Sequence, residues 1–349
     1  MANKLKVVRH GVILESTSLS FENKAVLNPG VFQDGETVHL FYRAIDQDGK
    51  SCIGYAKLKG PMTVVARAQE PIITREYDYE SAGVEDPRVV KIDGTFYLTY
   101  AVHDGKNART AYAASKDLKT FEKKGIISAE LTYHEAAEIF QNSHLKDAYY
   151  FFASYYEKGE GADELVWHKD LILFPKKIGG KFVMLHRVLP DIQIVFFNDF
   201  QELTPDFWRA HLRNLAGEVI LENKHWFESR NIGGGTPPIE TKDGWLMIFH
   251  TVEETNKGRI YHASAALLDL QNPLKVKGRL HEPLFSPTED WEKKGETSNV
   301  VFPTGTALFG DDLYIYYGAA DDRIAVASVN LDALLKEIQN PAHGHGHHD

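Results

Sequence analysis

One phrase recurs along this chain and limits its fold more than any other feature. An Asp-Gly pair, or a close substitute, precedes a run of alternating aromatic and aliphatic residues that ends near a polar or charged side chain. The clear copies are QDGETVHLFYRA (33–44), KIDGTFYLTYA (91–101), KDGWLMIFH (242–250) and FGDDLYIYYGAAD (309–321). LKDAYYFFAS (145–154) and IGGKFVMLHR (178–187) read as weaker copies. Such a pair before alternating hydrophobics signals a β-hairpin. The turn residues Asp34, Asp93, Asp147, Asp243 and Asp311 are 59, 54, 96 and 68 residues apart, and the longest gap contains the hairpin at Gly179. Hairpins that resemble one another at such wide intervals suit a radial repeat better than a two-sheet sandwich. The expected fold is all-β, a five-bladed β-propeller, with its chemistry where the inner strands converge.

The 349 residues are 43% apolar, with 16 Tyr, 19 Phe and 5 Trp, which favours strands and supplies a core. A formal charge of −10 argues against nucleic acid or an anionic membrane as partner. Cys52 is the only cysteine, so no intrachain disulfide forms. Neither a signal-peptide run nor a membrane-length apolar window is present, and the cytoplasm is the expected compartment. Residues 1–340 read as one catalytic domain and the His-rich stretch 341–349 as a disordered tail. Within the domain, Thr204 with Pro205 and Asp206 caps a short helix over 204–215, and 331–338 forms a closing helix. Residues 133–163 read as an insertion or lid that mixes a helix with a Gly-Glu-rich loop. A homo-oligomer is left open.

The sharpest local string is SAGVEDPRVV (81–90), which sets Glu85, Asp86 and Arg88 at the mouth of a repeat strand around Pro87. At this string the chain resembles glycoside hydrolase family 130, the inverting β-mannoside phosphorylases and β-1,2-mannosidases, which are five-bladed propellers. The resemblance runs from NPG at Asn28 through FYRA, GVEDPR, KDLILFP, LHR, GGGTPPIETKDGWL, LLDLQNP and NVVFPTG to YYGAAD at Asp321. It implies Asp86 as the catalytic acid, its proton passing through the mannose 3-hydroxyl. It implies Asn28, Arg43, Arg88 and Asp321 as sugar ligands. Lys169, Arg187 and His250 fall where family phosphorylases hold phosphate. One departure is Asn231, with Arg230 beside it, where those enzymes often carry Lys before Ile-Gly.

The chemistry can be argued separately. Inverting cleavage needs an acid for the leaving oxygen and a nucleophile on the opposite face. Water needs a second carboxylate to activate it, whereas phosphate is already nucleophilic and needs a cationic clamp. Lys169, Arg187 and His250 each end a repeat strand and could form that clamp. The plainer alternative leaves Lys169 solvated and Arg187 paired with a surface acid. Glu228, Glu240 and Glu253 are candidate bases for a hydrolase, and Glu85 reads as a neighbour orienting Arg88 or a sugar hydroxyl. Trp226, Trp245, Trp291, Tyr42 and Tyr100 are candidate sugar platforms that suit the core equally well. Gly233, Gly234 and Gly235 read as close backbone approach, since a nucleotide loop would end in Lys-Ser/Thr. No metal or organic cofactor is implied; inorganic phosphate is the co-substrate and a β-mannoside the substrate. The expected activity is therefore inverting phosphorolysis to α-mannose 1-phosphate. Hydrolysis by a β-1,2-mannosidase and a non-catalytic glycan-binding propeller are the rivals.

Overall fold

The computed structural model describes residues 5–161 and 163–340, so the expected tail at 341–349 lies outside the described residues. The chain opens with strand β1 (Val7–Leu14). The first sheet follows as β2 (Ala25–Asp34), β3 (Thr37–Ile45), β4 (Ser51–Lys59) and β5 (Thr63–Arg67). The second is β6 (Gly83–Ile92), β7 (Thr95–His103), β8 (Ala108–Ser115) and β9 (Glu122–Ile126). Helices α1 (Tyr133–Gln141) and α2 (Asp147–Glu160) come next. The third sheet comprises β10 (Lys169–Leu173), β11 (Phe182–Arg187), β12 (Ile192–Phe197) and, after helix α3 (Pro205–Arg213), β13 (Val219–Leu221). The fourth comprises β14 (Asn231–Gly234), β15 (Ile239–Thr241), β16 (Gly244–Thr255), β17 (Gly258–Leu268) and β18 (Val276–Arg279). Helix α4 (Asp290–Lys293) leads to β19 (Val301–Phe309), β20 (Asp312–Ala319), β21 (Arg323–Asn330) and the final helix α5 (Leu331–Gln339).

Within each sheet, neighbouring strands run antiparallel, and β1 pairs with β21 so that the two ends of the chain share the last sheet. The first two sheets touch through one parallel bridge, Ser51 to Gly83. The Asp-Gly phrases form hairpin turns as expected. Asp93 and Gly94, for example, both take positive φ (49° and 77°) between paired Ile92 and Thr95, the conformation that a two-residue turn of primed type requires. One phrase departs. LKDAYYFFAS belongs to α2, where Tyr149 and Ala153 are buried while Phe151 and Tyr155 face solvent. That is a helical period; dense aromatics imitate a strand, but only the spacing of the inward residues separates the two.

Buried residues fall into five clusters, each between two sheets. Val89 and Leu98 meet Phe41 and Ile53 between the first and second sheets, and Leu171 and Met184 meet Val90, with Trp208 of α3 packed beside them. Ile172 and Val183 meet Trp245 and Met247, and Leu246 and Ile248 meet Val301 and Ile315. The fifth cluster joins the last sheet to the first, through Tyr316 and Val326 against Val31 and Leu40. At the hairpin end, a cleft of about 270 Å³ touches the first-strand segment of every sheet at Val31, Val89, Pro175, Pro238 and Ala307. Among the described residues no helix is long and apolar enough to cross a membrane.

A second repeat is structural and was not read from the sequence. Glu22, Glu80, Glu228 and Glu292 are each fully buried ahead of a first strand. Each pairs with a basic residue on the outermost strand of its own sheet: Arg67, Lys123, Arg279 and Arg9 respectively. Glu164 is the counterpart ahead of the third sheet. It takes a hydrogen bond from Trp167 Nε1 (3.3 Å) and lies 3.8 Å from Lys106.

Candidate active site

The site is built from a bulge repeated on three first strands. Leu27 faces Arg43 while Gly30 faces Phe41; Glu85 faces Ala101 while Arg88 faces Thr99; Lys169 faces Arg187 while Ile172 faces Leu185. Each first strand therefore carries one residue more than its partner, as in a β-bulge. In each bulge one residue takes the left-handed conformation: Asn28 (φ 49°), Asp86 (φ 49°) and Asp170 (φ 57°). Asn and Asp tolerate that region better than other non-glycine residues, which explains the residue types. All three lie six residues beyond a buried glutamate: Glu22, Glu80 and Glu164.

These bulges bring the sequence candidates together. Asn28 Nδ2 donates to Asp86 Oδ1 at 2.8 Å, and Gly318 opposite lacks the Cβ that would collide with Asn28 Oδ1. Arg43 reaches Glu85 Oε1 at 2.7 Å and Asp86 Oδ1 at 4.0 Å. Arg88 donates to the carbonyl of Asp86 (2.7 Å) and to Gly235 of the fourth sheet, 2.5 Å away. Lys169 Nζ lies 3.4 Å from Glu85 Oε2, and Arg187 pairs with Asp170 Oδ2 at 3.0 Å. His250 Nδ1 meets the Gly234 carbonyl at 3.2 Å, and its ring lies 4.4 Å from that of Phe302. A Cβ on Gly233 would strike both the His250 ring and Asp170, so glycine is required there by close approach, as the run of three suggested. Asp86, Arg88, Lys169 and Asp170 line one small cleft with Thr99, Tyr100 and Thr110.

Charge follows from this packing. Burial opposes ionisation of Glu85, but Arg43 and Lys169 prevail and hold its carboxyl below the usual range. Burial likewise opposes ionisation of Asp170, and the charges of Arg187 and Arg88 keep it low. Burial raises Asp321, a hydrogen bond from Thr297 opposes the rise, and the charge of Asp86 adds to it. Burial pushes His250 down to about 4. The ring is neutral at pH 7, with Nδ1–H assigned to the Gly234 carbonyl and a bare lone pair on Nε2. In this state the ring offers an acceptor, not a charge, beside Lys169 and Arg187. Several buried polar atoms here make no hydrogen bond within the protein: Asn28 Oδ1, Arg43 Nε, Arg88 Nη2, Arg187 Nε and His250 Nε2. Buried polar groups are seldom left so, and a polar ligand would satisfy these.

Other expectations divide. Glu85 orients Arg43 and Lys169 rather than Arg88. Lys169 is not simply solvated, and the acid on Arg187 is buried Asp170 rather than a surface group. Asp170 is the residue that sequence reasoning missed. Tyr42, Tyr100 and Trp245 are core residues, and Trp226 is exposed beside His262. Tyr100 nonetheless reaches the cleft wall, and the Trp167 ring lies 5.7 Å from Lys169 Nζ.

The comparisons with known proteins place this cluster of carboxylates and cations in a carbohydrate-active enzyme of the glycosidase type. Residues 3–340 match the family model described as beta-1,4-mannooligosaccharide phosphorylase. The chain is 34% identical over 330 residues to a 1,2-beta-oligomannan phosphorylase of Thermoanaerobacter sp. (strain X514), covering 92% of this chain and 95% of that protein. It is 36% identical over 259 residues to a beta-1,4-mannooligosaccharide phosphorylase of Ruminococcus albus, covering 73% and 65%. Among solved structures, a beta-1,2-mannobiose phosphorylase of Listeria innocua shares the fold with TM-score 0.73 at 22% identity, over 96% of this chain and 99% of that one. The chain belongs to glycoside hydrolase family 130.

Proposed function

We propose that this enzyme is an inverting glycoside phosphorylase. It cleaves β-1,2- or β-1,4-linked mannosides from the non-reducing end with inorganic phosphate and releases α-mannose 1-phosphate. The observation that carries this reading is the cleft that Asp86 shares with Lys169 and Asp170, with Arg187 paired to Asp170 and buried polar atoms nearby that lack protein partners. A phosphate oxygen forms the new bond to the anomeric carbon as the glycosidic C–O bond breaks, and the leaving oxygen takes a proton that originates on Asp86. Asn28 occupies Asp86 Oδ1, which leaves Oδ2 to carry that proton. Arg43, Arg88 and Asp321 surround the reacting sugar. Lys169 and Arg187 receive phosphate, and His250 Nε2 accepts from a phosphate or sugar hydroxyl. The relatives described as phosphorylases of β-1,2- and β-1,4-linked mannosides support the same reaction.

A water nucleophile would need a base, and the candidates are engaged elsewhere. Glu228 is buried against Arg279, Glu240 pairs with Lys176 at the surface, and Glu253 meets His262. We read the sheets as five blades of one propeller domain, residues 1–340. The five intersheet cores, the bulges and the sharing of the last sheet by β1 support that arrangement. A cytoplasmic location fits the same reading. The test is incubation with β-1,2- and β-1,4-mannobiose, with and without phosphate. Sugar phosphate should form only when phosphate is present, and Asp86→Asn should lower turnover ~10²–10⁴-fold. Free mannose released at an unchanged rate without phosphate overturns the proposal.

A further inference from the structure

Between the third sheet and α3 runs a chain of three imidazoles that the reaction above does not use. The Ala129 amide donates to His168 Nδ1, His168 Nε2 meets His186 Nδ1, and His186 Nε2 meets His211 Nε2, each at 2.9 Å. His168 and His186 are fully buried. Trp208 stands edge-on to both rings, at 4.6 and 5.3 Å between centroids, with its own N–H on the Ile127 carbonyl.

Ala129 fixes the protons along this chain. A backbone N–H only donates, so His168 Nδ1 is bare and the proton sits on Nε2. His186 must then accept at Nδ1 and donate from Nε2, and His211 must accept at Nε2. An added proton at any of the three rings would set two N–H groups against each other. The direction cannot reverse, because Ala129 has no acceptor to offer on that atom. The chain is a fixed neutral strut, unsuited to relaying protons.

Its position gives it a use. His168 immediately precedes Lys169 and His186 immediately precedes Arg187, and Lys169 and Arg187 are direct partners across β10 and β11. Successive strand residues alternate faces, so the strut grips both strand ends from the side away from the two cations. The His168 carbonyl also accepts from Thr110 Oγ1 at 3.0 Å, which ties β10 to β8. We propose that His168, His186 and His211 are positioning residues that set the spacing of Lys169 and Arg187 for phosphate. The claim rests on the reading of that pair as the phosphate site.

The charged groups that act on the strut are Arg187 and Asp170, both on His168 from β10 and β11. The loop after β9 contributes backbone groups of Ile127 and Ala129, and α3 contributes Trp208 and His211 itself. Burial lowers His168 to about 3 and His211 to about 4, and it lowers His186 well below the usual range, so the neutral form is present at pH 7.

The experiment compares His211→Leu, which strands the His186 N–H without an acceptor, with His211→Gln, whose Oε1 can replace the lost ring nitrogen. His211 lies on α3, outside the cleft. His211→Leu should raise the KM for phosphate about ten-fold with little change in the KM for mannoside, and His211→Gln should restore most of it. If His211→Leu does not fold, His211→Ala makes the same comparison on a helix that favours alanine. An unchanged phosphate KM in the Leu or Ala variant overturns the proposal, even if the melting temperature falls. Arg187→Ala separates the two claims. If it raises the phosphate KM and His211→Leu does not, only the positioning role fails. If neither moves it, the phosphate reading fails as well.

Discussion

Four of the sheets and the third solve the same problem differently. Each of the four fastens the loop ahead of its first strand to its outermost strand with a buried carboxylate and a cation, as in Glu22 with Arg67 at 3.0 Å and Glu80 with Lys123 at 2.6 Å. On the second strand, Tyr42 and Tyr317 add a hydroxyl to Glu22 and Glu292. In the third sheet the matching second-strand position, just before Arg187 as Tyr42 is just before Arg43, belongs to His186. The neutral imidazole strut stands there instead. The third sheet is also the one whose first two strands present a cation each, Lys169 and Arg187. A further buried carboxylate behind them would attract the same charges that an anionic substrate needs. If Lys169 and Arg187 receive phosphate as proposed, a neutral strut stiffens the strand ends without competing for their charge.

The largest expected effect lies among the carboxylate fastenings. Glu228 accepts from the Lys224 and His225 amides as well as from Arg279. Glu228→Ala removes all three partners and leaves Arg279 buried without an opposite charge. The loss should be about 3–5 kcal/mol in denaturant unfolding. The phosphate KM of the folded fraction should stay at the wild-type value. If it rises as in His211→Leu, the division between fastening and positioning does not hold.

Acid should separate the regions next. The three strut histidines have lowered affinity for protons in the folded state, from an ordinary value of 6.5 to about 4 in His211 and about 3 in His168. Between those values the unfolded chain binds more protons than the folded one. The strut's contribution is therefore complete above about 6.5 and declines as pH falls toward the folded values, by roughly 1.4 kcal/mol per pH unit for each histidine. Glu85 and Asp170, held low by Arg43 and Arg187, keep their contributions to more acidic pH. His250 titrates in the histidine window too, so the readout is the difference between proteins. His211→Gln should show a shallower fall in stability than wild type as pH drops from about 6 to about 4. Parallel curves would mean that the strut titrates in the folded state as freely as in the unfolded one.

Much of this was legible in the sequence, and the limits are instructive. The hairpins could be read because Asp-Gly is one of few pairs that tolerates positive φ at both turn positions, as Asp93 and Gly94 do. Glu85, Asp86 and Arg88 stand out in the sequence around Pro87, whereas Asn28 is reached only through the family resemblance. Asp170 lies within KDLILFP, where Leu171 stands in place of the proline that follows Asn28 and Asp86. The six-residue offset from Glu164, matching Glu22 to Asn28 and Glu80 to Asp86, was the signal that could have found it. The neutrality of His250 depends on burial, which no local string encodes. The strut depends on α3 returning across the sheet, a tertiary event that leaves no trace in the spacing of 168, 186 and 211.

The smallest effect tests how much of a fastening the carboxylate supplies alone. Tyr42 donates to Glu22 at 2.8 Å and accepts from Arg67 Nε at 3.1 Å. Tyr42→Phe removes both bonds but leaves the direct Arg67 to Glu22 pair. The fourth sheet already contains this arrangement, since Phe249 occupies the matching position with its ring 5.7 Å from Arg279. The change should therefore cost only about 1–2 kcal/mol, the usual net worth of two hydrogen bonds, with catalysis unchanged. A loss as large as that of Glu228→Ala would mean that the hydroxyl, and not the ion pair, holds the first sheet's edge. The fourth sheet would then be a second exception alongside the third.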